Sequence, residues 1–397
     1  MQISLADFGV TVEVADRVAV HRGAIAPNLA DIPAAVRDAL DKPRNFPPLR
    51  RALTPDDQIA IVVDDRLPQL GAIVATVLTY LTEVGIDPGS ITLIGAPGST
   101  QPWIDDLPDD FQNVRTEIHD PDDRKAVAYL ASTRKGRRVY LNRTLVDADQ
   151  SIVIAGCRFD STFGRFNGAC ALFPTLSDAE TRADANRFLS MAAPDGHNWP
   201  LHEEAAEIAW LLGVPFMLHL IEGEGNGVAH LVGGTVESAP ECQRLLNDRW
   251  RLRVDRPARI VVATLGGDSA RQDFEAISRA ALCASRVVEP DGRIAILSKA
   301  TPHLGESAEL LRGTDNPAVA ARRIQERQPA DRVAALQWLE GARHAGLYLL
   351  SNLPDESVEE IFATPLQQAR QVQRLVDAGG STLVLEEADK MLTTVES

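Results

Sequence analysis

Short unbroken apolar runs alternate with longer amphipathic stretches along most of this chain. The runs Gln58–Val63, Ile91–Ile94, Ser151–Ala155, Ala258–Ala263, Arg293–Ser298, Leu347–Leu350 and Leu383–Leu385 have the length and β-branched content of buried strands. Between them the apolar residues recur at helical spacing. The pattern predicts helices over Asp31–Leu40, Leu70–Val84, His202–Leu212, Pro240–Trp250 and Asp273–Ser285, and near 305–312, 317–326, 331–344 and 365–378. Ser177-Asp-Ala-Glu180 has the spacing of a capping box and predicts a helix starting there. Residues 1–20 alternate as a hairpin does, Val214–Ile221 and Gly227–Val232 read as paired strands, and Arg138–Asn142 as one more. Strand, loop, helix and strand again is the order of an α/β protein with mainly parallel sheets. The basic stretch Arg249 to Arg259, which holds Pro257, reads as a linker. The expectation is two α/β domains, 1–255 and 256–397, with a cleft between them and the last residues returning to the first domain.

Length agrees with two domains, since 397 residues bury two full cores. The net charge of −16 argues against nucleic acid and against an anionic membrane surface as partners. No apolar run is long enough to span a bilayer. The four cysteines, Cys157, Cys170, Cys242 and Cys283, include no C-x-x-C pair. Cys242 and Cys283 lie in helix-like segments and read as small buried hydrophobes. With neither a disulfide framework nor a leader pattern, the expected location is cytoplasmic.

The stretch with the most chemistry runs from Gly156 to Pro174, just past the Ser151–Ala155 run. It carries Gly156, Gly164 and Gly168 together with Asp160, Arg165, Asn167 and Cys170. Glycines let a backbone turn or approach a ligand closely, and the carboxyl end of a buried strand is where α/β proteins gather ligands. The same composition also suits a surface loop whose glycines only make turns. Three further places are candidates. Asp64-Asp65-Arg66-Leu67-Pro68 follows the Gln58–Val63 run, His119-Asp120 follows Thr116-Glu-Ile, and Gly266-Gly267 stands between a strand and a helix that carries Arg279. A glycine pair in that setting suits a phosphate on helix-terminal N–H groups.

Taken together these pieces resemble the nickel-pincer-nucleotide lactate racemases and their hydroxyacid racemase and epimerase relatives. Gly156, Gly164 and Gly168 fall on family glycines, Asp64 and Pro68 on an aspartate and a proline of the family's first loop, and His119 on its His-Asp motif. The resemblance implies His119 as a catalytic acid/base, and Asp64, Arg66, Gly164, Gly168, Gly266 and Gly267 around the cofactor. Arg66, Arg165 and Arg279 would then hold the substrate carboxylate. Two departures are chemically large. The family's second catalytic histidine falls on Asp160, and the lysine that tethers the cofactor falls on Cys170. Asn186 stands where the family has a nickel-ligating histidine, and an amide is a much weaker nickel ligand than imidazole.

Racemising a 2-hydroxy acid breaks a Cα–H bond that is not acidic. The family route, as the resemblance implies it, passes hydride to the pincer nucleotide and returns it to either face of a planar 2-keto acid. His119 and Asp160 would be the proton-handling pair, although an ordinary aspartate titrates near 4 and suits the task only if burial raises that value. A cysteine cannot form the lysine's amide-type link. The cofactor, with its nickel, is therefore expected to bind noncovalently or by an altered attachment, or not at all. The expected activity is a racemase or epimerase of a small 2-hydroxy acid, with the cofactor-making proteins as partners. The alternatives are a different enzyme on this scaffold, with Cys170 as nucleophile, or a non-catalytic protein that binds small acids or nucleotides.

Overall fold

The computed structural model describes all residues except Met1, 6–7, 9, 14–17, 22–26, 161–162, 186–199, 330, 369 and 397, and the strands before residue 22 by their backbone alone. The chain divides into two compact units. One comprises Ala26–Ser190 with Gly196–Asn247, and the other Met1–Ile25, Met191–Asp195 and Asp248–Ser397. Both are mixed α/β with mainly parallel sheets, as the apolar pattern predicts.

The 26–247 unit is built on six strands in the order Val228–Gly234, Phe216–Glu222, Gln150–Gly156, Ile59–Val63, Ile91–Gly95 and Arg115–Ile118. Four of the five pairings are parallel, and only Phe216–Glu222 with Val228–Gly234 is antiparallel. All five residues of Ile59–Val63 are buried, which is why the run shows no polar alternation. One face of the sheet carries Ile59, Ile61, Ile152, Leu218 and Leu220, packed in one core with residues of the Ile32–Asp41 and Leu70–Glu83 helices. The other carries Ala60, Val62, Val153, Ala155 and Met217, packed with the short Gly168–Leu172 helix and the His202–Leu211 helix. Each such buried Val, Leu or Ile contributes about 1.5–3 kcal/mol. Arg138–Asn142 is a strand, but it pairs with Val127–Ser132 in a separate two-stranded sheet.

The other unit holds a second six-stranded sheet, parallel throughout, in the order Ala363–Leu366, Gly346–Leu350, Val288–Leu297, Ala258–Thr264, Thr382–Leu385 and Val18–His21. The N-terminal alternation is resolved into two fates. Gln2–Leu5 and Val10–Glu13 form the hairpin, while Val18–His21 leaves it and pairs with Thr382–Leu385. The basic stretch read as a linker contains a strand, Arg251–Val254, parallel to Leu392–Val395. The helix expected over 365–378 begins later, at Gln371, because Ala363–Leu366 is an edge strand.

One predicted cap is also corrected. The helix after Pro174 runs from Ala179 to Ala185, and Asp178 rather than Ser177 caps it, accepting the Thr181 N–H at 3.0 Å. Ser177 is committed elsewhere, in a bridge to Leu141 and as an acceptor for His119.

Candidate functional site

The strand ends of the 26–247 unit deliver the candidate residues. Asp64 follows Ile59–Val63 and accepts the Gly156 N–H at 3.2 Å and the Arg66 N–H at 3.3 Å. Its carboxylate is ion-paired with the Arg158 guanidinium, whose carbon lies 3.9 Å from the centre of the Phe166 ring. Burial alone would raise the Asp64 pKa, but the charge and hydrogen bond of Arg158 outweigh it and hold the value below the ordinary one. Asp64 therefore clamps the glycine-rich loop to the neighbouring strand. Asp65 turns the other way and accepts from Ser99, from the Gln101 N–H at 3.2 Å and from the Trp103 indole N–H at 3.0 Å. The Arg66 side chain is exposed.

The loop is a tight hairpin. Arg158–Asp160 pairs with Gly164–Phe166, and Asp160 accepts the Phe163 N–H at 3.0 Å. Gly164 sits at φ +66°, in the left-handed region that favours glycine. Asn167 caps the Gly168–Leu172 helix, accepting from the N–H groups of Ala169 at 2.9 Å and Cys170 at 3.4 Å. Gly168 is required by space, because a Cβ there would lie 2.9 Å from the Met217 sulfur and 3.0 Å from His219 Nε2.

Cys170 is fully buried. Its thiol lies 3.7 Å from the Arg165 carbonyl and 3.8 Å from His202 Nδ1, and burial pushes its pKa up to about 12. His202 Nε2–H donates to the Phe163 carbonyl at 2.8 Å, which leaves Nδ1 as the ring's acceptor. Burial lowers the His202 pKa, so the ring is neutral near neutral pH. Beside these residues lies a pocket of about 290 Å³. Arg165, Asn167, His202, Glu203 and Gln243 supply its polar wall. That volume is at the small end for ligand pockets and suits a molecule of a few heavy atoms.

His119 is not part of this group. Its strand, Arg115–Ile118, lies three places along the sheet from Gln150–Gly156, an offset of about 14 Å at roughly 4.8 Å per strand. The imidazole is 1% exposed. Nε2–H donates to the Ser177 carbonyl at 3.0 Å, and Nδ1 lies 3.4 Å from the Asn142 amide nitrogen. Burial lowers its pKa, against an opposing pull from the Ser177 carbonyl. His119 is thus buried, with a partner at each ring nitrogen within the protein.

In the other unit, Gly267 has φ +76°, and a Cβ on Gly266 would lie 2.3 Å from a Glu387 oxygen. The Phe274–Ser285 helix does not open directly from this loop. Its first turn is capped by Asp273, which accepts the Ala276 N–H at 2.7 Å. An anion on those N–H groups would meet a carboxylate, which disfavours the phosphate cradle. Arg279 pairs with Glu275 at 3.1 Å and donates to the Asp389 carbonyl at 3.3 Å. Asn186, the candidate nickel ligand, lies outside the described residues.

The sequence reading missed one cluster. Cys157, His219 and Cys242 are buried with their ligand atoms all within 4.8 Å of one another. Strand register explains the first two. His219 pairs with Ala155 across the sheet, and Cys157 follows two residues later on the same face. Cys242 comes from the Ala239–Trp250 helix. Gly168 N–H donates to His219 Nε2 at 3.1 Å, and His219 Nδ1 lies 3.2 Å from the Ser238 hydroxyl. The Cys242 thiol is pulled down, first by its hydrogen bond with Cys157 and then by His219, while Cys157 is pushed up by the same contact and by burial.

Fold and site together define an α/β protein with a small pocket, partly polar in its lining, beside a glycine-rich loop at the strand ends. The sequence likeness is borne out: residues 6–195 match the family model of the lactate racemase N-terminal domain. The whole fold matches that of the lactate racemase apoprotein from Thermoanaerobacterium thermosaccharolyticum, with TM-score 0.79 and 16% identity over 100% of this chain and 99% of that one. A protein from Thermotoga maritima matches with TM-score 0.67 and 13% identity over 92% of this chain and 98% of that one. No curated protein matches the sequence.

Proposed function

We propose that this chain is an isomerase, a racemase or epimerase, acting on a small 2-hydroxy acid. The observation that carries the reading is the pocket of about 290 Å³ bounded by Arg165, Asn167 and His202, set on the loop where the family likeness is densest. Arg165 supplies a cation for the carboxylate, and a guanidinium holds a carboxylate by two parallel hydrogen bonds. Asn167 spends its side-chain oxygen on the helix cap, which leaves its amide NH₂ as a donor for the hydroxyl.

The lysine-tethered nickel-pincer nucleotide of the family does not fit these residues. The tether position is Cys170, which has no amine, is fully buried and is held as a thiol. Side chains do not accept hydride, so what the chain itself supplies is binding, orientation and exclusion of water.

A second reading is favoured by the burial of His119 and Cys170: a small-acid-binding protein without turnover. One experiment separates the two. Purified protein is titrated with the separate enantiomers of lactate and of larger 2-hydroxy acids, by calorimetry and by chiral chromatography after incubation. Binding with interconversion supports the isomerase. Binding without interconversion under any metal or nucleotide supplement leaves the second reading. No binding of any 2-hydroxy acid overturns both. Arg165→Ala is expected to weaken binding about 10-fold or more, as loss of a charged hydrogen bond of about 1.5–3 kcal/mol implies.

A further inference from the structure

We propose that Cys157, His219 and Cys242 form a binding site for a thiophilic divalent cation, zinc by chemical class, with one coordination position left for a non-protein ligand. None of the three is a residue that the family likeness assigns to nickel or to the cofactor.

Geometry and chemistry carry the assignment. Two thiols and an imidazole converge from three elements that are remote in sequence, with ligand atoms within 4.8 Å of one another. A tetrahedral zinc site with Zn–S near 2.3 Å and Zn–N near 2.0–2.1 Å places its ligand atoms about 3.5–3.8 Å apart. The three side chains therefore need to close by roughly 1 Å or less. The other buried cysteines have no such company. Cys283 meets the Thr393 hydroxyl at 3.5 Å, and Cys170 meets a carbonyl and a single imidazole.

The surroundings also suit a metal ligand. Gly168 N–H can only donate, so His219 Nε2 bears the lone pair and Nδ1–H is directed at Ser238. The Ser238 hydroxyl in turn donates to the Thr235 carbonyl at 2.7 Å. A second residue that locks one ring nitrogen as N–H and leaves the other as the donor is the usual support of a metal-binding histidine. The cation would take the lone pair now held by the Gly168 amide. Two thiolates and a neutral imidazole balance a divalent charge, so binding releases the protons that the thiols still hold to solvent. Three protein ligands leave a fourth position. Cys157 itself lines the pocket that holds Arg165 and Asn167, so this site adjoins the proposed acid site.

The test uses the full chain. Protein purified without chelator, and chelated protein re-titrated with zinc and cobalt, is measured for metal content and ultraviolet absorption. The expected result is one metal per chain, a thiolate-to-cobalt charge-transfer band, and proton release on zinc binding. Cys157→Ser and Cys242→Ser are expected to weaken zinc binding at least 100-fold, and Cys283→Ser to leave it unchanged. As a readout that needs no variant, the wild-type melting temperature is measured with and without zinc, and zinc is expected to raise it by several degrees. The proposal is overturned if wild type takes up less than about one tenth of an equivalent. It is overturned equally by a cobalt complex without the charge-transfer band, or by mass analysis showing a Cys157–Cys242 disulfide in protein purified under reducing conditions. None of these readings depends on turnover, so they stand apart from the test of the isomerase.

Discussion

Arg158 and Asp64 form an ion pair with side chains only 17% and 9% exposed, and the guanidinium is sandwiched between that carboxylate and the Phe166 ring. The pair joins the end of one strand to the loop that follows its neighbour. Removing one partner strands the other charge away from water, which typically costs about 3–5 kcal/mol. Arg158→Met is expected to destabilise the 26–247 unit by about that amount, read from urea unfolding. Asp64→Asn should cost less, because it leaves a hydrogen-bonding group of the same shape in place. The pH dependence has a fixed sign. The folded pKa of Asp64 is below its ordinary 3.8, so the unfolded chain takes up the proton first as pH falls. The contribution is complete above about pH 4 and is lost as pH falls from 3.8 to the lower folded value. In Asp64→Asn that part of the acid sensitivity should vanish.

His119 is held neutral by burial, against the opposing pull of the Ser177 carbonyl. Its folded pKa lies below the ordinary 6.5, so above that pH neither state binds the proton and the full contribution is present. Below 6.5 the unfolded state protonates first, and stability declines until pH reaches the folded value. A histidine proton titration should show the His119 ring titrating below 6.5 and resisting diethylpyrocarbonate in the folded protein. His119→Ala is expected to cost about 2–4 kcal/mol, from a cavity and from the unpaired Ser177 carbonyl and Asn142 amide. A His119 resonance titrating normally at 6.5 would contradict the buried placement.

The central strands of both sheets were legible because they are parallel and almost wholly buried, and such strands are nearly unbroken apolar runs: Ile59–Val63 and Ala258–Thr264 are recognisable without any partner. Arg251–Val254 was not, because arginines alternate with Leu252 and Val254 and its partner, Leu392–Val395, lies at the far end of the chain. Val18–His21 misled for the same reason: local alternation suggests a hairpin, while the true partner is Thr382–Leu385. The glycine-rich loop was legible as a loop, and its residues Asp160, Gly164, Arg165, Gly168 and Cys170 do lie together. Cys157, His219 and Cys242 were invisible as a set. A lone histidine in an apolar strand and a cysteine on a helix each read as core, and only strand register and helix placement bring them within reach.

Cys170 is expected to be inert. With its pKa near 12, the thiol of the folded protein should not react with iodoacetamide at pH 8, and it should become reactive in urea. Rapid labelling of Cys170 in the native state would contradict this. Restoring the family residue tests the same point from the other side. Cys170→Lys places an ammonium in the space of a fully buried thiol, so the variant should be destabilised by about 3 kcal/mol or more. Stability equal to wild type, with a normal lysine titration, would show that the pocket readily admits a tether.

Gly168 gives the last prediction, because it serves both the loop and the cysteine-histidine cluster. Its N–H donates to His219 Nε2, and a Cβ on it would press on that nitrogen at 3.0 Å and on the Met217 sulfur at 2.9 Å. Met217 is flexible and yields at little cost, but His219 is held from its other side by Ser238. Gly168→Ala should therefore cost about 1–3 kcal/mol as an overpacked core does, despite the higher helix propensity of alanine. It should also lengthen the amide contact to His219, seen as loss of hydrogen-exchange protection at residue 168. Met217→Ala in the same chain relieves only the sulfur contact. The double variant should remain destabilised relative to Met217→Ala alone, and additivity within about 0.5 kcal/mol would place the strain on His219. Full rescue by Met217→Ala would instead place it on the methionine.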